Sequence, residues 1–287
     1  MRRISVSNKV QPKLRTMNLH ALRSTRIPVY LVFLALLPVA SPIQAKATTA
    51  CPQHFASGIA PALLNAKLRD QARPLCFQAY AVLHSGLTRA PLYSAEHLTR
   101  PSVAAAEAFD TRDNRFHAEQ NLPTSERAEL SDYKYSGYDR GHMVPSGDMG
   151  TKYSDHETFS LANIIPQTAN LNRGSWAALE RYVRALASQF GEAYVVTGPL
   201  YEGSSITALN GRVLVPTAVW KAIFVPGQGA GAWIATNEPR PSWQVVSLNG
   251  LARRTGIDPY PLLRTASKSK VPAFPTFVGR RPQYRLR

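Results

Sequence analysis

Apolar and aromatic residues dominate residues 77–83 and again the stretch 91–98, with the polar positions few and Ser85-Gly86-Leu87-Thr88-Arg89 between the two runs. That pattern predicts a β-hairpin. Residues 193–198, 219–225, 231–236 and 243–247 repeat the strand signal, with glycine, proline or asparagine between them, and are expected to complete an antiparallel sheet. Gly227-Gln228-Gly229-Ala230-Gly231 lies between two of these strands and lacks the helix and lysine of a phosphate-cradling loop, so it reads as a hairpin turn. A helical spacing appears where Trp176, Leu179, Val183 and Leu186 fall in steps of three and four. Those steps mark the buried face of a helix, and Trp176 reads as core. Gly174 bears on where that helix begins, because a glycine costs about 1 kcal/mol relative to alanine in a helix interior. Residues 110–137 are polar and read as loop.

The two ends differ from this middle. Residues 1–26 carry seven Lys or Arg and no acid, and residues 27–40 are almost uninterruptedly apolar, with small residues around Ala45. This predicts a secretion signal over residues 1–45, with Met1 or Met17 as the start and a periplasmic or secreted product. The apolar core is shorter than the roughly 20 residues that span a bilayer, so no permanent membrane anchor is expected. One domain over residues 46–270 follows. Residues 271–287 hold four arginines and no acid and read as a flexible basic tail.

The chain carries a net charge of +16; without residues 1–45 it keeps 27 Lys and Arg against 18 Asp and Glu, a net +9. A basic surface draws polyanions, which fits nucleic acid but equally anionic lipid or cell-wall polymer. Only two cysteines occur, Cys51 and Cys76, both after the predicted leader. In an exported chain they are expected to pair, and a bridge of this loop length adds about 2–4 kcal/mol.

Candidate chemistry concentrates in Tyr138-Asp139-Arg140-Gly141-His142-Met143-Val144-Pro145. Breaking a phosphodiester requires a base for the attacking water and charge to offset the phosphoryl oxygens. His142 suits the first task, since imidazole titrates near neutrality. Arg140, two residues away on an extended strand, faces the same side, and its fork can hold two phosphate oxygens. Asn172 and Glu180 supply hard oxygen donors of the kind magnesium takes, and magnesium needs only one or two protein ligands. Glu180 and Arg184 stand one helical turn apart, and Asn172 two turns before Glu180 if the helix starts that early. Asp139 is expected to point away from His142 and to be structural. Asp148, Asp155, His156 and Glu157 read as solvated positions, His84 and His97 as surface or packed histidines, and His117 as a bystander.

With Asn163 and Gln167 between the two segments and Asn172-Arg173-Gly174-Ser175-Trp176 after them, this ordered set resembles the DNA/RNA non-specific endonuclease family, the ββα-metal nucleases, over about residues 76–246. The resemblance implies an α+β fold, a central antiparallel sheet with a ββα-metal finger carrying the site. It implies a magnesium-dependent endonuclease that cuts DNA and RNA with little sequence preference and leaves 5′-phosphate ends. It makes His142 the general base, Asn172 the direct metal ligand and Glu180 the holder of a metal-bound water. It assigns Arg140, Arg184 and Arg115 to the phosphate, and supporting places to Asp139, Asn163 and Gln167. A non-catalytic basic module of the cell envelope that binds nucleic acid is the alternative, and the sequence leaves a homodimer open.

Overall fold

The computed structural model describes residues 51–110 and 113–283, which belong to one compact unit; the expected leader lies outside the described residues. Strands β1 (Ala72–Cys76), β2 (Tyr80–Ser85) and β3 (Ala90–Thr99) form a meander that runs straight into helix α1 (Arg100–Ala108). Thr99 caps α1: its hydroxyl accepts from the Ser102 amide at 3.1 Å while Ser102 Oγ accepts from the Thr99 amide at 2.9 Å, satisfying two donors the helix start would otherwise leave bare. Next come β4 (Asp139–His142), helix α2 (Lys152–Thr158), β5 (Ile164–Gln167) and the long helix α3 (Ala177–Phe190). Strands β6 (Glu192–Leu200), β7 (Ala218–Val225), β8 (Gly229–Thr236) and β9 (Trp243–Val246) lead to α4 (Leu248–Thr255) and a final hairpin, β10 (Thr276–Val278) and β11 (Arg281–Gln283).

Seven strands form one sheet in the order β9-β8-β7-β6-β3-β2-β1, with every neighbouring pair antiparallel. The predicted opening hairpin is β2–β3, and the four later strands fall where the strand-like runs put them. Strand β1 has no counterpart in the sequence reading, because Arg73 and Pro74 break up its apolar run. A proline lacks the ladder donor and is tolerated at a sheet edge, which is where β1 sits. Its last residue, Cys76, is bonded to Cys51, so the expected disulfide is present and ties the preceding segment to that edge.

Both faces of the sheet are covered, and successive residues go to opposite cores. Val195, Val219, Ile223 and Trp233 pack with Trp176, Leu179 and Val183 of the helix side. Val196, Trp220, Ala222 and Ile234 pack with Leu251 and Tyr260 on the other. The tail expected to be flexible is instead a docked hairpin as far as it is described: Phe274 stacks on Trp233 with ring centroids 4.4 Å apart, Trp233 Nε1 donates to the Pro275 carbonyl at 2.7 Å, and Phe277 is buried. The prolines and arginines masked two aromatic side chains that cover the core.

The loop over residues 110–137 is interrupted by a single turn at Leu130–Tyr133. The helix carrying Asn172 begins before Gly174, through a π-turn, Leu171–Trp176, that runs into α3. A widened turn accommodates Gly174 and re-aims the residues around it, as such turns commonly do at functional sites.

Candidate active site

Strands β4 and β5 pair antiparallel, with Asp139 opposite Gln167 and His142 opposite Ile164, and α3 follows; this is the ββα finger. Gly141 serves that pairing, since a Cβ there would lie 2.1 Å from Gln167 Oε1. Its role is to admit the Gln167 side chain, which is fully buried. Asn163, also fully buried, fastens the strand end: its Oδ1 accepts from the Val144 amide at 3.0 Å, and its Nδ2 donates to the carbonyls of Val144 and Thr158. Asn163 thus fastens the turn after β4, while the Gln167 side chain packs against Gly141 across the strand pair.

Above the finger opens a cleft of about 550 Å³ whose walls include Arg140, His142, Asn172, Glu180, Arg181 and Arg184. His142 is 7 % exposed and is boxed by two rings, with Phe159 edge-on at 4.9 Å and Phe116 tilted at 5.4 Å. The Arg140 guanidinium lies over the other partner, 4.1 Å from the centre of Phe116, so Arg140 and His142 do share one side of β4. Phe116, Tyr138 and Asn114 line the same cleft, and the sequence reading did not single them out. An isolated aromatic in a polar stretch carries no periodic signal, so nothing in the sequence flagged Phe116.

Asp139 corrects the expectation. It does belong to the opposite side of the strand from His142, yet it lines the cleft, because the π-turn brings Asn172 and Arg173 over it. Its carboxylate accepts from Asn172 Nδ2 at 2.9 Å and from Arg173 Nε at 2.7 Å. Burial works against the charge on Asp139, but Arg173 and Asn172 outweigh it and leave the carboxyl below its ordinary value. With its amide nitrogen so engaged, Asn172 keeps its carbonyl oxygen as the remaining acceptor.

The acidic residues after the motif also differ from expectation. Asp148 and Asp155 are buried, not solvated. Asp148 holds the guanidinium of Arg184, which lines the cleft, and Asp155 accepts from Ser146 Oγ at 2.5 Å and from the Asp113 amide at 2.8 Å. The Glu157 carboxylate accepts from the Gln78 amide at 2.8 Å. His156 meets Asp113 at 2.6 Å and stacks on His117. Arg115 is turned to this acidic neighbour, pairing with Asp113 with its side chain 71 % exposed, and does not line the cleft. The Arg115 bond is the main reason the Asp113 carboxyl falls to about 2. Such a contact ties the loop to itself and leaves the guanidinium outside the site.

Beneath the finger the sheet carries buried polar groups that the sequence reading passed over. Lys221 of β7 is 1 % exposed and donates to Thr197 Oγ1 at 2.7 Å and to the Met143 carbonyl at 3.4 Å, next to His142. Glu96 of β3 is equally buried, and burial, with Asp148 nearby, pushes its carboxyl well above the ordinary value. Burial likewise lifts Asp148, although Arg184 opposes the shift. A lysine in the middle of a strand buried on both faces is the signal that could have identified Lys221.

The sequence model described as DNA/RNA non-specific endonuclease matches residues 64–264. The chain is 36% identical over 177 residues to Nuclease C1 of Cunninghamella echinulata var. echinulata, covering 56% of this chain and 70% of that one. It is 42% identical over 174 residues to the mitochondrial Nuclease 1 of Schizosaccharomyces pombe, covering 53% of each chain, so it spans about half the length of that relative. A crystal structure of the EndoG/EndoGI complex contains a chain that aligns with a TM-score of 0.62 and 27% identity, covering 69% of this chain and 89% of that one. The finger, the sheet order and these matches agree: the chain belongs to the DNA/RNA non-specific endonuclease family and has the ββα-metal nuclease fold.

Proposed function

We propose that the protein is an exported, magnesium-dependent endonuclease that hydrolyses phosphodiester bonds in DNA and RNA with little sequence preference and leaves 5′-phosphate ends. The observation that carries this reading is the convergence of His142, Arg140, Asn172, Glu180 and Arg184 on one cleft. His142 takes the proton of the attacking water, held in a fixed orientation by Phe116 and Phe159. Arg140 and Arg184 bind the phosphoryl oxygens and offset their growing charge; the buried carboxylate of Asp148 keeps Arg184 from swinging into solvent. Phosphate contacts position a strand without reading its bases, which accounts for little sequence preference.

The donors suit magnesium. Asp139 leaves an amide oxygen of Asn172 available, and Glu180 lines the same cleft, so the ion would be held by Asn172 directly and by Glu180 through water. Among the described residues no cluster of three or more His, Cys, Asp or Glu could hold a metal, so a hydrated ion with few protein ligands fits better than a dense cage. When bound it supplies Lewis-acid stabilisation of the developing charge and of the leaving oxygen. The test is incubation of the protein without residues 1–45 with closed circular plasmid and with RNA, in magnesium or in chelator. Both polymers should be degraded only with magnesium, and His142→Ala should lower the rate by roughly 10²–10⁴ while binding persists. Binding by the parent without any cutting would favour the non-catalytic module instead.

A further inference from the structure

A second groove, of about 600 Å³, lies across the π-turn from the cleft, and Arg173 lines both. Its other walls are Asn170, Gly174, Pro239, Arg240 and Phe277, drawn from three separate parts of the chain. Those parts are fastened together. Thr168 N donates to Asn237 Oδ1 at 2.8 Å, Asn170 Nδ2 donates to the Pro239 carbonyl at 2.8 Å, and Arg280 Nε reaches the Arg173 carbonyl at 3.4 Å. The groove is therefore built by the fold and formed before any ligand arrives. Prolines and Phe277 make its walls largely apolar, two arginines give it positive charge, and no carboxylate stands among its described lining residues.

An apolar slot with guanidinium groups on its rim fits a nucleotide, base inward and phosphate outward. Because Arg173 belongs to both concavities, a strand leaving the cleft can pass over it into the groove. Gly174 marks the crossing, since a Cβ there meets nothing within 4 Å and the backbone is open to close approach.

We propose that this groove is a subsite for a neighbouring nucleotide of the same strand, with Arg240 holding its phosphate and Pro239 and Pro241 receiving its base. The inference rests on the nuclease reading above and adds a place where the polymer is gripped away from the bond being cut. Its consequence is that long substrates are held better than minimal ones.

Two variants test it. Arg240→Glu reverses the rim charge, and Pro241→Glu puts a carboxylate in the slot without touching the turn that carries Asn172. Each is assayed on a 12-nucleotide single strand and on thymidine 3′,5′-bis(p-nitrophenyl phosphate), too short to span both sites. The expected result is a KM about 5- to 20-fold higher on the 12-mer, with kcat and the small-ester rate unchanged, which also reports an intact fold. Unchanged KM on the 12-mer in both variants, or equal loss on both substrates, overturns the proposal. A parallel arm measures anisotropy of the labelled 12-mer in the His142→Ala background, where adding Arg240→Glu should weaken binding 5- to 20-fold. If the parent cuts nothing, the nuclease reading fails and this binding arm still decides: weakening supports the subsite, and unchanged affinity removes it.

Discussion

The two faces of the central sheet are built from the same strands and bury their side chains equally well, yet they differ in kind. On the face turned to α4, Tyr93, Ala95, Val196, Trp220, Ala222 and Ile234 form an essentially apolar layer. On the face turned to the finger, the register sets Ser94 opposite Thr197 and Thr197 opposite Lys221, with Glu96 two residues beyond Ser94, so a polar row runs among Val195, Val219 and Ile223. Buried polar groups cost stability unless they find partners. Concentrating them under the cleft stiffens what lies above: Lys221 reaches the Met143 carbonyl beside His142, and Asp148, near Glu96, holds Arg184. One face is made for stability alone, and the other gives up some of it to position the site.

The sharpest way to break this comparison is Lys221→Met, which keeps the stem and removes the charge. It leaves Thr197 and the Met143 carbonyl without their donor, and Glu96 and Asp148 with Arg184 but without the second cation near them. Removing one member of a buried charged group costs roughly 3–5 kcal/mol. Chemical denaturation should show a loss of that order, and the fraction that stays folded should cut more slowly. Full stability with full activity would show that the polar row does not support the finger.

A smaller effect is expected at Glu96, and it carries a sign. Burial raises its carboxyl above the ordinary value of 4.5, with Asp148, Glu180, Lys221 and Arg184 as the charged groups around it. A raised acid binds its proton more tightly folded than unfolded. Its contribution is therefore complete below about pH 4.5 and is lost as pH rises through the folded-state value, which belongs to the Glu96 and Asp148 pair and not to either alone. Glu96→Gln has no proton to lose. The melting temperature of the variant relative to the parent should rise between pH 4 and pH 8, by roughly 2–4 °C for each 1 kcal/mol gained. A difference that stays flat across that range would mean Glu96 is not holding a proton.

The contrast between the faces also explains what the sequence made visible. Apolar, β-favouring runs revealed the strands and steps of three and four revealed α3, because both signals come from apolar burial. The ordered set from Asp139 to Glu180 pointed to the cleft, since its spacing is tied to a strand and a helix. What stayed hidden was governed by side-chain partners that the apolar pattern does not specify. Arg115 looked like a phosphate ligand, but Asp113 and the loop around it decide where it goes. Asp148 and Asp155 looked solvated because their partners, Arg184 and Ser146, come from another helix and from the preceding turn. The hairpin at residues 276–283 was hidden because its composition suggested a tail, while Phe274 owes its place to Trp233 of β8 and Phe277 to Trp243 of β9.

The smallest effect belongs to the apolar face. Ile234 of β8 is 2 % exposed and packs in the layer under α4, on the opposite side of the sheet from the finger. Ile234→Val deletes one buried methyl group, and such a deletion costs about 0.5–1.5 kcal/mol through lost transfer energy and the cavity left behind. No polar group loses a partner, and the neighbouring Trp233, which faces the other core, keeps its stacking on Phe274 and its bond to Pro275. Denaturation should therefore show the loss while kcat and KM, measured per folded molecule, stay as in the parent. If instead the rate fell in step with Lys221→Met, the two faces would act on the cleft alike, and the division of labour between them would have to be abandoned.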